Sequence, residues 1–123
     1  MAEHPNVTLV RRAIDAMNRD DMDVLDAFMA DDIVWHYIGG SEPIRGKETL
    51  AQSMGTRDWT ITAEIHDVIA NDVHAVALVK AHAERGGKTL DYDTAEIMHI
   101  TNGRCSERWA FSDDTARIVE FFA

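Results

Sequence analysis

The sequence predicts an α+β domain, with helices first and a curved antiparallel meander afterwards. Two observations carry this. Apolar residues recur at helical spacing in the first part of the chain. From Trp59 onward the pattern becomes strand-like, in four β-rich runs parted by Asn71-Asp72, Gly86-Gly87 and Asn102-Gly103. The length of 123 residues, with no linker or repeat, sets residues 1–123 as a single domain.

Each element has its own signal. Val7, Val10, Ile14 and Met17 make one helical stripe, and Pro5 suits a first-turn position. Asp20-Asp21 can cap a second helix carrying Met22, Leu25 and Met29. "DDIVWHYI" is a β-rich run, and "GKETLAQSM" reads as a short third helix. The runs "WTITAEIHDVIA", "VHAVALVKAHAER", "KTLDYDTAEIMHIT" and "RCSERWAFS" then form the meander. The dipeptides between them are of the kind that tight hairpins need for positive φ.

Turn positions fix a register. A two-residue turn at Asn102-Gly103 sets Ile100 opposite Cys105, Met98 opposite Glu107, Glu96 opposite Trp109 and Thr94 opposite Phe111. The Gly86-Gly87 turn sets Ala81 beside Tyr92, Val79 beside Thr94 and Ala77 beside Glu96. An inward face thus carries Ala77, Val79, Ala81, Tyr92, Thr94, Glu96, Met98, Glu107, Trp109 and Phe111. The outward face pairs Lys80 with Asp93 and His82 with Asp91, and holds His99, Ser106 and Arg108. It also carries an apolar patch of Val76, Leu78, Ala95, Ile97 and Ala110. A one-residue bulge would reverse part of this assignment.

Charge bounds the partners. Twelve Lys and Arg against 22 Asp and Glu give a formal −10, with no basic block anywhere. Nucleic acid and anionic membranes are repelled by such a surface, so neither is an expected partner. One cysteine, Cys105, excludes an internal disulfide and fits a reducing compartment. "MAEHPNVT" lacks signal-peptide features, and no apolar run is long enough to span a bilayer, so the expected location is cytoplasmic.

Two segments carry a family resemblance. "RDDMDVLDAFMADDIVWHYIGGSEPIRG" is similar to the helix–"ADD"–strand–glycine segment of the nuclear-transport-factor-2-like superfamily. "NGRCSERWAF" is similar to its last-hairpin "DGKIxExW". The chain resembles the SnoaL-like polyketide cyclase and ketosteroid isomerase branch over nearly its whole length. The resemblance implies a cystatin-like cone whose sheet and two or three N-terminal helices enclose a ligand pocket, commonly in a dimer. It does not imply one chemistry, because isomerases, cyclases, hydrolases and binding modules share the fold. The isomerase branch's tyrosine on the first helix falls near Ala13, and its aspartate base near Tyr37. Its second acid, kept protonated by an apolar site, falls on Glu96. The aspartate that follows the last-strand tryptophan in cyclase and epoxide-hydrolase members is Ala110 here.

Candidate residues follow from both lines. Glu96 lies mid-strand among Thr94, Met98 and Trp109. There it is either an acid, base or ligand partner of perturbed pKa, or a paired or partly solvated glutamate. Trp35, His36 and Tyr37 alternate, so a regular strand cannot turn all three inward. The resemblance favours Trp35 and Tyr37 inward, while a bulge before Gly39 would admit His36 as a general base. The expected pocket is lined by Trp35, Tyr37, Tyr92, Glu96, Met98 and Trp109, walls that suit a planar or alicyclic organic molecule. No histidine pair has metal-ligand spacing, and neither metal nor cofactor is expected. Cys105 lacks a partner for nucleophilic catalysis.

Two function classes compete. In one, Glu96 works with Tyr37 or His36 in acid–base isomerisation, cyclisation, dehydration or hydrolysis of a hydrophobic polyketide-, terpenoid- or aromatic-type metabolite. In the other, the pocket binds or senses such a ligand without turning it over. The outer apolar patch predicts a homodimer through the outer sheet face, the alternative being that "ARIVEFFA" folds back over that patch.

Overall fold

The computed structural model describes residues 3–123. Helices α1 (Pro5–Asn18) and α2 (Met22–Phe28) precede strands β1 (Met29–Trp35) and β2 (Ile44–Arg45) and helix α3 (Lys47–Gly55). Strands β3 (Trp59–Ala70), β4 (His74–Arg85), β5 (Lys88–Thr101) and β6 (Arg104–Phe111) follow, and helix α4 (Thr115–Phe122) closes the fold. Pro5 occupies the first turn of α1, where its missing N–H costs nothing. The Asp21 carboxylate caps α2 by accepting from Val24 N at 3.4 Å.

One six-stranded sheet runs in the order β2-β1-β6-β5-β4-β3. It is mixed rather than wholly antiparallel, because β1 lies parallel to β6. Met29, read from its spacing as part of the second helix, begins β1 instead. Gly86-Gly87 and Asn102-Gly103 take positive φ at all four positions, as two-residue hairpin turns require. Asn71-Asp72 does not. There the Asn71 side-chain oxygen accepts from Val73 N at 3.0 Å and His74 N at 2.8 Å, holding the turn with a side chain rather than with backbone handedness.

The β4–β5 register is as the turn predicts, with Ala81 opposite Tyr92, Val79 opposite Thr94 and Ala77 opposite Glu96. The β5–β6 register departs from prediction. Ile100 faces Cys105, but His99 faces Glu107, so Ser106 is an extra residue. Beyond this bulge each side chain of β6 changes face. Met98 therefore stands opposite Arg108, Glu96 opposite Ala110, and Ile97 opposite Trp109. Glu107, Trp109 and Phe111, expected inward, lie on the outer face, while Arg108 and Ala110, expected outward, lie on the inner one.

α1 and α3 pack on the inner face. Val10, Ile33, Leu50 and Cys105 are the largest fully buried side chains, joined by Ala75, Ala77, Val79, Met98 and Ile100. A second, smaller cluster lies toward the Gly86-Gly87 end, where Ile118 of α4 meets Ala83 and Leu90. Ile38, Ile61, Tyr92, Phe121 and Phe122 pack around it. The segment "ARIVEFFA" thus folds onto the inner face, and its second cluster contains none of the outer-patch residues. No helix among the described residues is long and apolar enough to cross a membrane.

Candidate functional site

The Ser106 bulge positions the site. By turning β6 over, it aims Arg108 at the inner face beside Glu96. Arg108 donates to Glu96 Oε1 from Nη2 at 2.6 Å and from Nε at 3.2 Å. Its Nη1 donates to the His36 carbonyl at 3.1 Å, tying the end of β1 to β6. The guanidinium carbon also lies 4.1 Å from the Trp35 ring centroid, a cation–π contact. The two side chains are only 14% and 18% exposed, so the pair sits in a medium where charge-assisted bonds are strong and an unpaired charge is costly. Glu96 is therefore a paired carboxylate. Both of its contacts with Arg108 use Oε1, and Oε2 has no hydrogen-bond partner among the described residues.

Tyr92 stands two positions along the same face of β5. Burial raises its hydroxyl to about 12, with the Glu96 carboxylate pushing the same way and Arg108 opposing. Met98 is buried within the main hydrophobic cluster, so it serves as core. Tyr37 falls beyond the end of β1 and is 49% exposed, lying so close over Gly40 that a Cβ there would meet its ring at 2.5 Å.

His36 and Trp109 make a different group. The His36 Nε2 lies 2.7 Å from Glu107 Oε2, and its ring stacks on Trp109 at 5.4 Å and 4°. These residues belong to the outer face, next to Ile97, so neither His36 as an interior base nor Trp109 as an interior wall fits the structure. Of the predicted lining, Trp35, Tyr92 and Glu96 share the inner face in a half-buried setting. Arg108 was missed because the bulge that turns it inward left no recognised mark in the sequence. The serine at 106, between two residues of opposite pleat, is its only trace.

Burial pushes the Cys105 thiol up to about 12, which leaves it protonated and unreactive. No group of three or more His, Cys, Asp or Glu is placed to hold a metal ion among the described residues. The surface of the described residues includes two concavities. One of about 290 Å³ lies between α1 and α2, lined by Leu9, Ala13, Val24, Ala27 and Phe28 with Arg12 and Asp23. The other, of about 380 Å³, lies at the ends of β3, β4 and β5 and includes Arg57, Trp59 and Arg85. Neither is lined by Trp35, Glu96 or Arg108. The inner face beyond Tyr92 is filled by α4.

A mixed, curved, unclosed sheet packed against helices, with a half-buried ion pair on its inner face, defines a cystatin-like α+β domain. Residues 10–108 match the SnoaL-like domain model, and the chain belongs to that family. Uncharacterized proteins of Mycobacterium tuberculosis and Mycobacterium bovis are 28% identical over 132 residues, with both chains covered in full. Bal32a, from a soil-derived mobile gene cassette, superposes with a TM-score of 0.87 at 27% identity, covering 96% of each chain. An epoxide hydrolase of M. tuberculosis has the same fold, with a TM-score of 0.75 at 23% identity over 87% of this chain and 81% of that one.

Proposed function

We propose that the inner face of the sheet binds a small hydrophobic organic molecule, with the Glu96–Arg108 pair as its polar end. The observation that carries this reading is the pair itself. A half-buried Arg–Glu bridge on a largely apolar face is costly to desolvate, and replacing it with packed apolar side chains would serve stability as well or better. A ligand that takes hydrogen bonds from it supplies a reason for its presence. Trp35 fixes the guanidinium from the side, so that its remaining N–H groups stay oriented. Planar or alicyclic metabolites of polyketide, terpenoid or aromatic type suit such walls. A thermal-shift screen of such compounds, followed by native mass spectrometry of the hits, tests the reading. A hit should raise the melting temperature of the unmodified protein and lose most of that effect in Glu96→Gln and Trp35→Leu. A hit whose effect is identical in all three proteins would refute it.

A second reading, acid–base catalysis, is favoured by the free Glu96 Oε2. Arg108 would hold the carboxylate in place through Oε1 while Oε2 takes a proton from bound substrate, as isomerisation, cyclisation or dehydration requires. The alternative is a module that binds or senses its ligand without turnover. Incubating the unmodified protein with a bound hit separates them: the hit is converted in the first case and recovered unchanged in the second. The protein is further read as a cytoplasmic homodimer. Its single cysteine supports the compartment. The dimer rests on the outer sheet face, where Ile69, Val76, Ile97 and Trp109 stand in one row across four strands.

A further inference from the structure

The Phe122 ring of α4 is set edge-on into an aromatic slot on the inner face. Its centroid is 5.1 Å from that of Trp59, at 71°, and 6.4 Å from that of Tyr92, at 79°. Both are the distances and tilts at which aromatic pairs attract beyond simple burial. Trp59 lies on β3 and Tyr92 on β5, so the walls belong to the sheet. The plug belongs to an eight-residue helix, too short to persist without its packing. Ile118 anchors it, and its polar tethers to the sheet are two arginines. Arg85 Nη1 donates to the Phe121 carbonyl at 3.0 Å and to the Ala123 carbonyl, and Arg117 Nη2 donates to the Asp91 carbonyl. The walls are locked in the sheet ladder and the plug rides on one short terminal helix, so the helix is the part that yields first.

We propose that the Trp59–Tyr92 slot is a binding subsite for an aromatic ring of the ligand, and that α4 is its intramolecular competitor. This rests on the interior-binding reading above and adds to it the chemical class of the group held furthest from the ion pair. Trp59 also lines the 380 Å³ groove, so one wall of the slot reaches the molecular surface. A tethered occupant competes at high effective concentration, which lowers the apparent affinity of any free ligand by the fraction of time the slot is empty. Vacating the slot should therefore tighten binding, the reverse of what deleting an ordinary core ring would do.

The neutral fluorescent probe N-phenyl-1-naphthylamine tests this. Phe122→Ala should bind it roughly tenfold more tightly than the unmodified protein, the scale of removing one competing aromatic contact. Arg85→Gln, which frees the helix while keeping every ring, should move affinity in the same direction. The gain should vanish when Trp59→Leu is added to either variant, and saturating probe should speed amide exchange across residues 115–122 of the unmodified protein. Equal affinity in the unmodified protein and both variants would overturn the proposal, as would a gain that survives Trp59→Leu. Glu96→Gln is run in parallel. A probe gain from Phe122→Ala alongside metabolite hits indifferent to Glu96 would sustain the slot and defeat the polar-end reading; the opposite pattern would do the reverse.

Discussion

Arg108 Nη2 donates to Glu96 Oε1 at 2.6 Å across the inner face of β5 and β6, and it reaches that oxygen because Ser106 is an extra residue in β6. A strand without the bulge would place Arg108 in the outer row beside Ile97 and leave Glu96 facing Trp109.

Losing either half of the pair strands a charge. Arg108→Met leaves a carboxylate of 18% exposure without its counter-ion. Breaking a fully buried pair this way costs about 3–5 kcal/mol, and the residual solvent contact here brings the expectation to about 2 kcal/mol. Glu96→Gln keeps an acceptor for the guanidinium but strips the counter-ion from an arginine that is only 14% exposed and cannot deprotonate, so it should also cost about 2 kcal/mol. Urea denaturation of both variants and of the double mutant measures this. An Arg108→Met midpoint equal to that of the unmodified protein would show that the bridge is solvated and carries no structural weight.

Tyr92 should ionise far above an ordinary tyrosine. Its hydroxyl is raised to about 12 by burial first and by the Glu96 carboxylate second. The folded state holds this proton more tightly than the unfolded chain, whose tyrosine has a pKa of about 10. Between about pH 10 and 12 the folded state therefore binds more protons, and stability falls as pH rises through that window. An ultraviolet difference titration against Tyr92→Phe should show the missing phenolate step near 12. A step near 10 would mean that the inner face is open to water at Tyr92.

The helices, strands and hairpins were legible because each has a local cause. Pro5 and Asp21 mark helix starts, and the two Gly-containing turns demand a handedness that few other residues supply. The β4–β5 face assignment followed from turn geometry alone, since no bulge intervenes. The β6 assignment failed past Ser106 because a bulge is decided by the sheet's twist and by what each face must bury, neither of which is local. The parallel β1–β6 pairing was hidden for the same reason, as was the docking of α4. "ARIVEFFA" is apolar on one face, but which surface it covers depends on where Trp59 and Tyr92 stand. Glu96 was found by its burial pattern and its resemblance; its partner was not.

His82 on the outer face is a small pH-sensitive element. Its Nδ1 lies 2.7 Å from Asp91 and its Nε2 3.4 Å from Glu84. The Asp91 hydrogen bond first, and that to Glu84 second, raise its pKa above the ordinary 6.5. A histidine of raised pKa stabilises the fold fully below its unfolded value, and that contribution disappears as pH rises through the folded one. The group is exposed, so the effect on stability is small and screened by salt. The His82 ring chemical shifts should titrate above 6.5 and move back toward 6.5 in Asp91→Asn. An unchanged titration in that variant would remove Asp91 as the cause.

The outer face predicts assembly. Ile69, Val76, Ile97 and Trp109 form a cross-strand row, and Leu78, Ala95 and Phe111 form the next. Phe111 on β6 is 56% and Ile69 on β3 60% exposed, so large apolar side chains stand in water at both ends of these rows, which a monomer rarely presents. α4 packs against the inner face, so it does not cover them. Two copies meeting through these rows would bury roughly 800 Å² each, the size of a standard two-fold interface. The His36–Glu107 pair and the Lys80 and Asp93 positions would form a polar rim of little net energy. Opposing the contact is a formal −10 on each subunit, so association should tighten as added salt screens that repulsion. Sedimentation equilibrium at micromolar concentration should return twice the 13.8 kDa subunit mass. Leu78→Glu and Phe111→Glu should each return the subunit mass, with far-ultraviolet circular dichroism unchanged. Subunit mass for the unmodified protein in both low and high salt, or a dimer indifferent to both substitutions, would place the interface elsewhere or nowhere.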